Sequence, residues 1–452
     1  MTDLSGWLRQ GVDAVEGWQR GFADHPAHPC QQVDPERFRV AFAELTERLA
    51  DNYPYFHPDY AGQMLKPPHP VAVAGYLTAM LVNPNNHAQD GGPATARMER
   101  EVVAALAGMF GFGDHLGHLT GGGTVANLEA LFVARESHPG KGVAFSAESH
   151  YTHARMCQVL GIPGHPVPVD AAGRMDMDAL DALLATGEVG TVVVTAGTTG
   201  LGAVDPVHEA VARKEKYGVR LHVDAAYGGF FTLIAGEEGI DPRPWRAIAR
   251  CDSVVVDPHK HGLQPYGCGA VLFADPTVAR FYRHDSPYTY FTEADLHLGE
   301  ISLECSRAGA AAAALWLTFQ VIPPTPDGLG RFLAAGRRAA LGWAELIEDS
   351  PHLALFQPPD LDILTYFPRR DSLSAVDAAS ARVFTEGMND KADPVFLSVA
   401  KVSADAFARR HPAITADADG ARLLRSVLMK PEFEARVDRL HRRVEALAAH
   451  AG

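Results

Sequence analysis

Residues 191–223 read TVVVTAGTTGLGAVDPVHEAVARKEKYGVRLHV. Two short runs rich in β-branched residues, 191–195 and 219–223, flank a stretch of helical spacing that opens on Asp205-Pro206 and closes on Tyr217-Gly218. An N-capping aspartate, a proline at the first helical position and a terminating glycine predict one helix between two strands. These runs and those that follow are mostly continuous in apolar residues, as expected of strands covered on both faces. Similar runs recur at 143–145, 253–256 and 270–273. Residues 71–320 are therefore expected to form a large α/β domain with helices on both sides of its sheet.

Outward from this core the pattern changes. Residues 1–70 are polar and dotted with proline, contain two helical stretches, and end in Lys66-Pro67-Pro68-His69-Pro70. Such a segment buries little by itself and is expected to pack on a neighbouring surface, that of a dimer partner. Residues 321–452 predict a helix at 336–348, strands near 362–367, 395–402 and 423–429, and a last helix from Pro431, which together suggest a smaller C-terminal α+β domain.

The 452 residues carry a formal net charge of -15, which argues against a general nucleic-acid or anionic-membrane binder. No apolar run is long enough for a membrane span, and the N-terminus does not read as a secretion signal. Five widely spaced cysteines with no C-x-x-C pair favour free thiols in a reducing cytoplasm.

Chemistry concentrates at four places. Lys260 lies in SVVVDPHKHG (253–262), just past an apolar run and beside His259, where an amine suits an aldehyde better than water. Asp224 ends another run, in HVDAAYGG (222–229). An imine-forming amine and a fixed carboxylate are what a pyridoxal phosphate (PLP) ring needs from its protein. Gly121-Gly122-Gly123-Thr124 leads into a helix, where backbone N–H groups and the helix dipole suit a phosphate. His150 follows an apolar run and could stack on an aromatic cofactor. Each has a plain alternative: a capping carboxylate, a surface lysine, an ordinary glycine turn, a structural histidine. Neither H-E-x-x-H nor a nucleotide-binding glycine motif is present, and His150, His153, His259 and His261 predict no metal centre.

Taken in order, LTGGGTVANLEAL, SAESHYTH, TAGTTGLGAVDP, HVDAAYGG, DPHKHGLQPYGCGAVLF and ECSRAG resemble blocks of the group II PLP-dependent amino-acid decarboxylases, a family that includes the glutamate, aromatic amino-acid and tyrosine decarboxylases. The resemblance spans about residues 80–320. It implies the fold type I, PLP-dependent transferase-like architecture, with a large mixed-sheet α/β domain and a smaller α+β domain. It also implies a homodimer with shared active sites. By that similarity Lys260 would carry the imine to PLP, Asp224 would hold the pyridine nitrogen, and His150 and Ala226 would pack on opposite faces of the ring. Gly122, Gly123 and Thr124 would cradle the phosphate with His259, and Thr198 or Thr199 would lie beside the ring substituents, although TAGTT also reads as an ordinary turn. A loop tyrosine, Tyr288 or Tyr290, would protonate the product carbon, and Asn86, His87, Gln89 and Arg307 would contact substrate. The implied reaction is decarboxylation of an L-amino acid to its amine, with oxidative deamination to an aldehyde, transamination or carbon–carbon lysis on the same fold as rivals, and a catalytically idle homologue as the non-enzyme alternative.

Overall fold

The apolar runs form the centre of a seven-stranded sheet in the computed structural model, which describes residues 3–22, 27–282, 298 and 301–450. Its strands are β1 (Leu116–Thr120), β2 (Gly142–Ser146), β3 (Gly164–Val167), β4 (Val189–Thr195), β5 (Arg220–Asp224), β6 (Ser253–Val256) and β7 (Gly269–Phe273). They lie in the order β1-β7-β6-β5-β4-β2-β3. Strands β3, β2, β4, β5 and β6 run parallel, and β7 is antiparallel to both of its neighbours, so the sheet is mixed.

Alternation survives within the apolar runs, but both faces are buried. Val254 and Val256 join the core that holds Val207 and Val211 of the helix Val207–Tyr217. Val255 points the other way, towards Ala126, Ala130 and Val133 of the helix Gly123–Ser137. A strand with helices on each side thus has no polar face to show.

A second, antiparallel sheet contains β8 (Leu353–Gln357), β9 (Ile363–Pro368), β10 (Ser398–Ser403) and β11 (Gly420–Val427), in the order β10-β11-β9-β8. The helices Arg331–Glu348, Leu373–Asn389 and Val437–His450 cover it, with Trp343 fully buried against Tyr366 at a ring separation of 5.6 Å. The helix Leu373–Asn389 falls between β9 and β10, where the sequence predicts consecutive strands. The leader contains the two expected helices, Leu4–Gln19 and Pro35–Leu49, neither with a buried residue. Its end is tied to the second sheet of its own chain: Lys430 Nζ donates to the carbonyls of Tyr55, His57 and Tyr60.

Asp205 departs from its predicted capping role. The helix starts at Val207 without a side-chain cap, and Asp205 turns inward to accept the N–H groups of Met175 and Thr195, both at 2.7 Å. These N–H groups are buried where β4 ends, and a buried donor must find an acceptor. Burial pushes the Asp205 carboxyl up to about 6, although both hydrogen bonds pull it down. Asp205→Ala is expected to cost about 2–4 kcal/mol in a denaturant titration, because it orphans both donors. Stability within about 0.5 kcal/mol of wild type would contradict that role.

Candidate active site

The C-terminal ends of β1, β2, β4, β5 and β6 converge on one cavity of about 260 Å³, whose wall includes Lys260, Asp224, His150, His259 and the glycine turn. Ligand crevices of α/β sheets open on this side. The apolar runs therefore bring together residues more than a hundred positions apart.

Gly122 has φ +143°, a conformation that favours glycine, and caps the helix Gly123–Ser137 with no side-chain hydrogen bond. A Cβ on Gly122 would stand 3.2 Å from the His259 ring, and one on Gly123 would stand 2.7 Å from Asp257 Oδ2. The turn is thus cut close to its neighbours, with its helix N-terminus at the cavity. Gly121 N–H is already committed, donating to Glu304 Oε2 at 2.9 Å. Below it, Asn127 Nδ2 donates to the Gly123 carbonyl, and Asn127 Oδ1 accepts from His222 Nε2, whose Nδ1 pairs with Ser253 Oγ at 2.8 Å.

Asp224 sits at the end of β5, 5% exposed. Burial pushes its carboxyl up, but the His153 hydrogen bond, the electrostatic pull of His153 and Lys260 and the Ala226 N–H outweigh burial and hold it well below the usual carboxylate range. Oδ2 accepts from His153 Nε2 at 2.8 Å and Oδ1 from Ala226 N at 3.1 Å. A dry, ionised carboxylate is the form that can hold a protonated ring nitrogen.

Lys260 lies on a turn closed by its own N–H to the Asp257 carbonyl at 2.9 Å, and its Nζ pairs with Asp257 Oδ2 at 3.0 Å. His259 accepts Cys268 N–H on Nδ1 at 3.3 Å, which leaves Nε2 facing Asp257 Oδ2 at 3.5 Å. Burial lowers the pKa values of both His259 and His150. The His150 ring lies at the cavity and accepts Thr152 N–H.

The two candidate threonines separate. Thr198 is buried, with Oγ1 accepting Ala203 N–H at 3.0 Å, so it builds the turn. Thr199 lines the cavity, and Arg425 of β11 clamps its carbonyl and that of Gly200. Thr195, not singled out from sequence, also lines the cavity, and its buried Oγ1 has no hydrogen-bond partner among the described residues. Asp257 Oδ1 is likewise unpartnered there. Each opens one of the family-like blocks, TAGTTGLGAVDP and DPHKHGLQPYGCGAVLF, without a role assigned to it.

Two substrate expectations need correction. Asn86 is fully buried and bonded to Thr95 and Glu99, and Arg307 pairs with Glu99 at 2.8 Å while also donating to the Leu119 and Asn86 carbonyls. Their donors serve a buried network beneath β1, because an arginine beside a dry glutamate is held by it. His87 and Gln89 do not line the Lys260 cavity of this chain. Tyr288 and Tyr290 lie outside the described residues.

The residues fit PLP. An amine and an ionised carboxylate share one cavity with a glycine turn that has no room for Cβ atoms, and with two buried side-chain oxygens that have no partner among the described residues.

Comparison with known proteins agrees. Residues 34–325 match the family described as the pyridoxal-dependent decarboxylase conserved domain. The L-tyrosine decarboxylase of Enterococcus faecium is 28% identical over 451 residues, which cover 75% of this chain and 74% of that protein. The probable L-aspartate decarboxylase of Halobacterium salinarum is 30% identical over 306 residues, covering 65% and 82%. Among solved structures, mouse CSAD superposes with a TM-score of 0.80 at 21% identity over 98% of each chain. Oryza sativa TDC with PLP and tryptamine superposes with a TM-score of 0.81 at 18% identity, over 99% of this chain and 98% of that one.

The hydrogen-bonded support under the glycine turn has a pH signature. Burial holds His222 at about 3, below its ordinary 6.5. As pH falls the unfolded chain takes up this proton first, so the His222 contribution is complete above about 6.5 and is lost between there and about 3. In His222→Gln the slope of unfolding free energy against pH in that window is expected to be shallower by up to about 1.4 kcal/mol per pH unit. Equal slopes in the two proteins would contradict this.

Proposed function

The chain belongs to the pyridoxal-dependent decarboxylases, and on that premise we propose how its residues divide the work of removing CO2 from an L-amino acid. The protein is a PLP-dependent carboxy-lyase. Bound PLP supplies a sink for the electron pair left on Cα when the carboxylate departs.

In our reading Lys260 Nζ is the amine that would hold the cofactor at its aldehyde carbon. Asp224 keeps the proton on the ring nitrogen, and its charge acts strongly because the site is dry. Gly122, Gly123, Thr124 and His259 receive the phosphate, while His150 and Ala226 bound the two faces of the ring. Thr199 is the threonine beside the ring, since Thr198 Oγ1 is committed to its turn. Tyr288 or Tyr290 delivers the proton to Cα. One observation carries the reading: Lys260 Nζ and a buried, ionised Asp224 open onto the same cavity.

Lys260→Ala is expected to lower CO2 release by about 1,000-fold or more, with the amine as the main product of wild type. L-tyrosine and L-aspartate, named in the relatives, are the first substrates to try in a panel of amino acids. Undiminished CO2 release by Lys260→Ala would overturn the assignment, and aldehyde with ammonia and peroxide as main products would favour oxidative deamination.

The division into residues 1–70, 71–320 and 321–452 is part of the same proposal, as is a homodimer with shared sites in the cytoplasm. The leader helices support the dimer, because Trp18, Phe38, Phe42 and Leu49 are at least half exposed on helices none of whose residues is buried. No helix among the described residues is long and apolar enough to cross a membrane. Sedimentation is expected to give about twice the chain mass, and Phe38→Glu with Phe42→Glu is expected to shift it towards monomer. A fully active monomer would contradict shared sites.

A further inference from the structure

His153 lies in the first turn of the helix Thr152–Leu160, directly after the loop that brings His150 to the cavity. The backbone couples the two, since His153 N–H donates to the His150 carbonyl at 3.1 Å. The loop thus delivers two imidazoles with different surroundings. His150 faces the cavity. His153 is fully buried, does not line the cavity, and sits behind Asp224 with Phe145 beside it at a ring separation of 6.2 Å.

Hydrogen bonding fixes what His153 does there. Nε2 stands 2.8 Å from Asp224 Oδ2, and Nδ1 is buried with no partner among the described residues. Facing a carboxylate oxygen, Nε2 carries a hydrogen and donates it, and that bond orients the carboxylate plane. Ala226 N–H holds the other oxygen, and the two fixed donors stop the carboxylate rotating about its own axis.

We propose that His153 is a positioning residue for the cofactor's ring nitrogen: its Nε2–H holds Asp224 in the orientation from which the carboxylate reaches that nitrogen. The inference rests on the reading of Asp224 given above. It assigns His153 an effect specific to one ring atom, unlike that of a side chain that merely fills the core.

The test uses the cofactor-free full-length protein and two probes, PLP and its 1-deaza analogue, in which carbon replaces the ring nitrogen. Dissociation constants are read by absorbance titration, without turnover. Wild type is expected to bind PLP at least about tenfold more tightly than the analogue. His153→Leu is expected to lose about tenfold in PLP affinity while its affinity for the analogue stays within twofold, erasing most of the preference. His153→Phe, which refills the ring volume without a donor, is expected to behave alike and serves if the leucine variant does not fold. His153→Gln, which can still donate, is expected to recover part of the preference. If wild type prefers PLP and the donor-less variants keep that preference, or weaken both probes equally, His153 is only structural and the inference falls. If wild type binds both probes equally, the reading of Asp224 itself falls.

Discussion

Asp224 must remain ionised in a place where burial opposes ionisation, and most of the surrounding site follows from that constraint. Alone, burial would push a proton onto the carboxyl. Here the His153 hydrogen bond, the electrostatic pull of His153 and Lys260 and the Ala226 N–H reverse the outcome. Each comes from a different element: the first turn after β2, the backbone beyond β5 and the turn after β6. Keeping one charge in the dry therefore requires the parallel strands to end together, and that shared edge makes the cavity.

The ammonium side of the site shows the complementary problem. Lys260 Nζ meets Asp257 at 3.0 Å, inside a cavity that also contains Asp224. Supports outside the large sheet fix the neighbouring backbone. His261, directly after Lys260, bonds Asp362 at the start of β9, and Asp362 also accepts from Tyr227 at 2.5 Å. Arg425 of β11 reaches back to the Thr199–Gly200 carbonyls. The second sheet thus holds both the lysine turn and the threonine turn, so the site depends on packing between the two sheets as well as on the strand ends.

What was legible from sequence follows a physical rule. Strands β4, β6 and β7 were readable because burial on both faces demands apolar runs, and β5 because valine and leucine flank its Arg220 and His222. Strand β1 was not, since Gly117 and His118 interrupt it, and His118 is tolerated because Glu129 pairs with its Nε2 at 2.9 Å and the Leu119 carbonyl meets its Nδ1 at 2.8 Å. Strand β3, with Pro166 inside, lies at the edge, where a missing donor does no harm. In the site, Lys260, Asp224, His150 and the glycine turn were marked by local pattern and stand together. His153, Thr195 and Asp257 were not singled out, because their roles arise from partners or a cavity created by folding. Asn86 and Arg307 erred for the same reason: Glu99, which engages both, has no local relation to either in the chain.

The central claim is that Lys260 is the residue to which PLP becomes attached. Borohydride reduction of the PLP-saturated protein, followed by proteolysis and mass spectrometry, tests it most directly. The expected result is a single phosphopyridoxyl group on the peptide containing Lys260. A modification confined to another lysine, or saturation with PLP but no reducible attachment, would contradict the account.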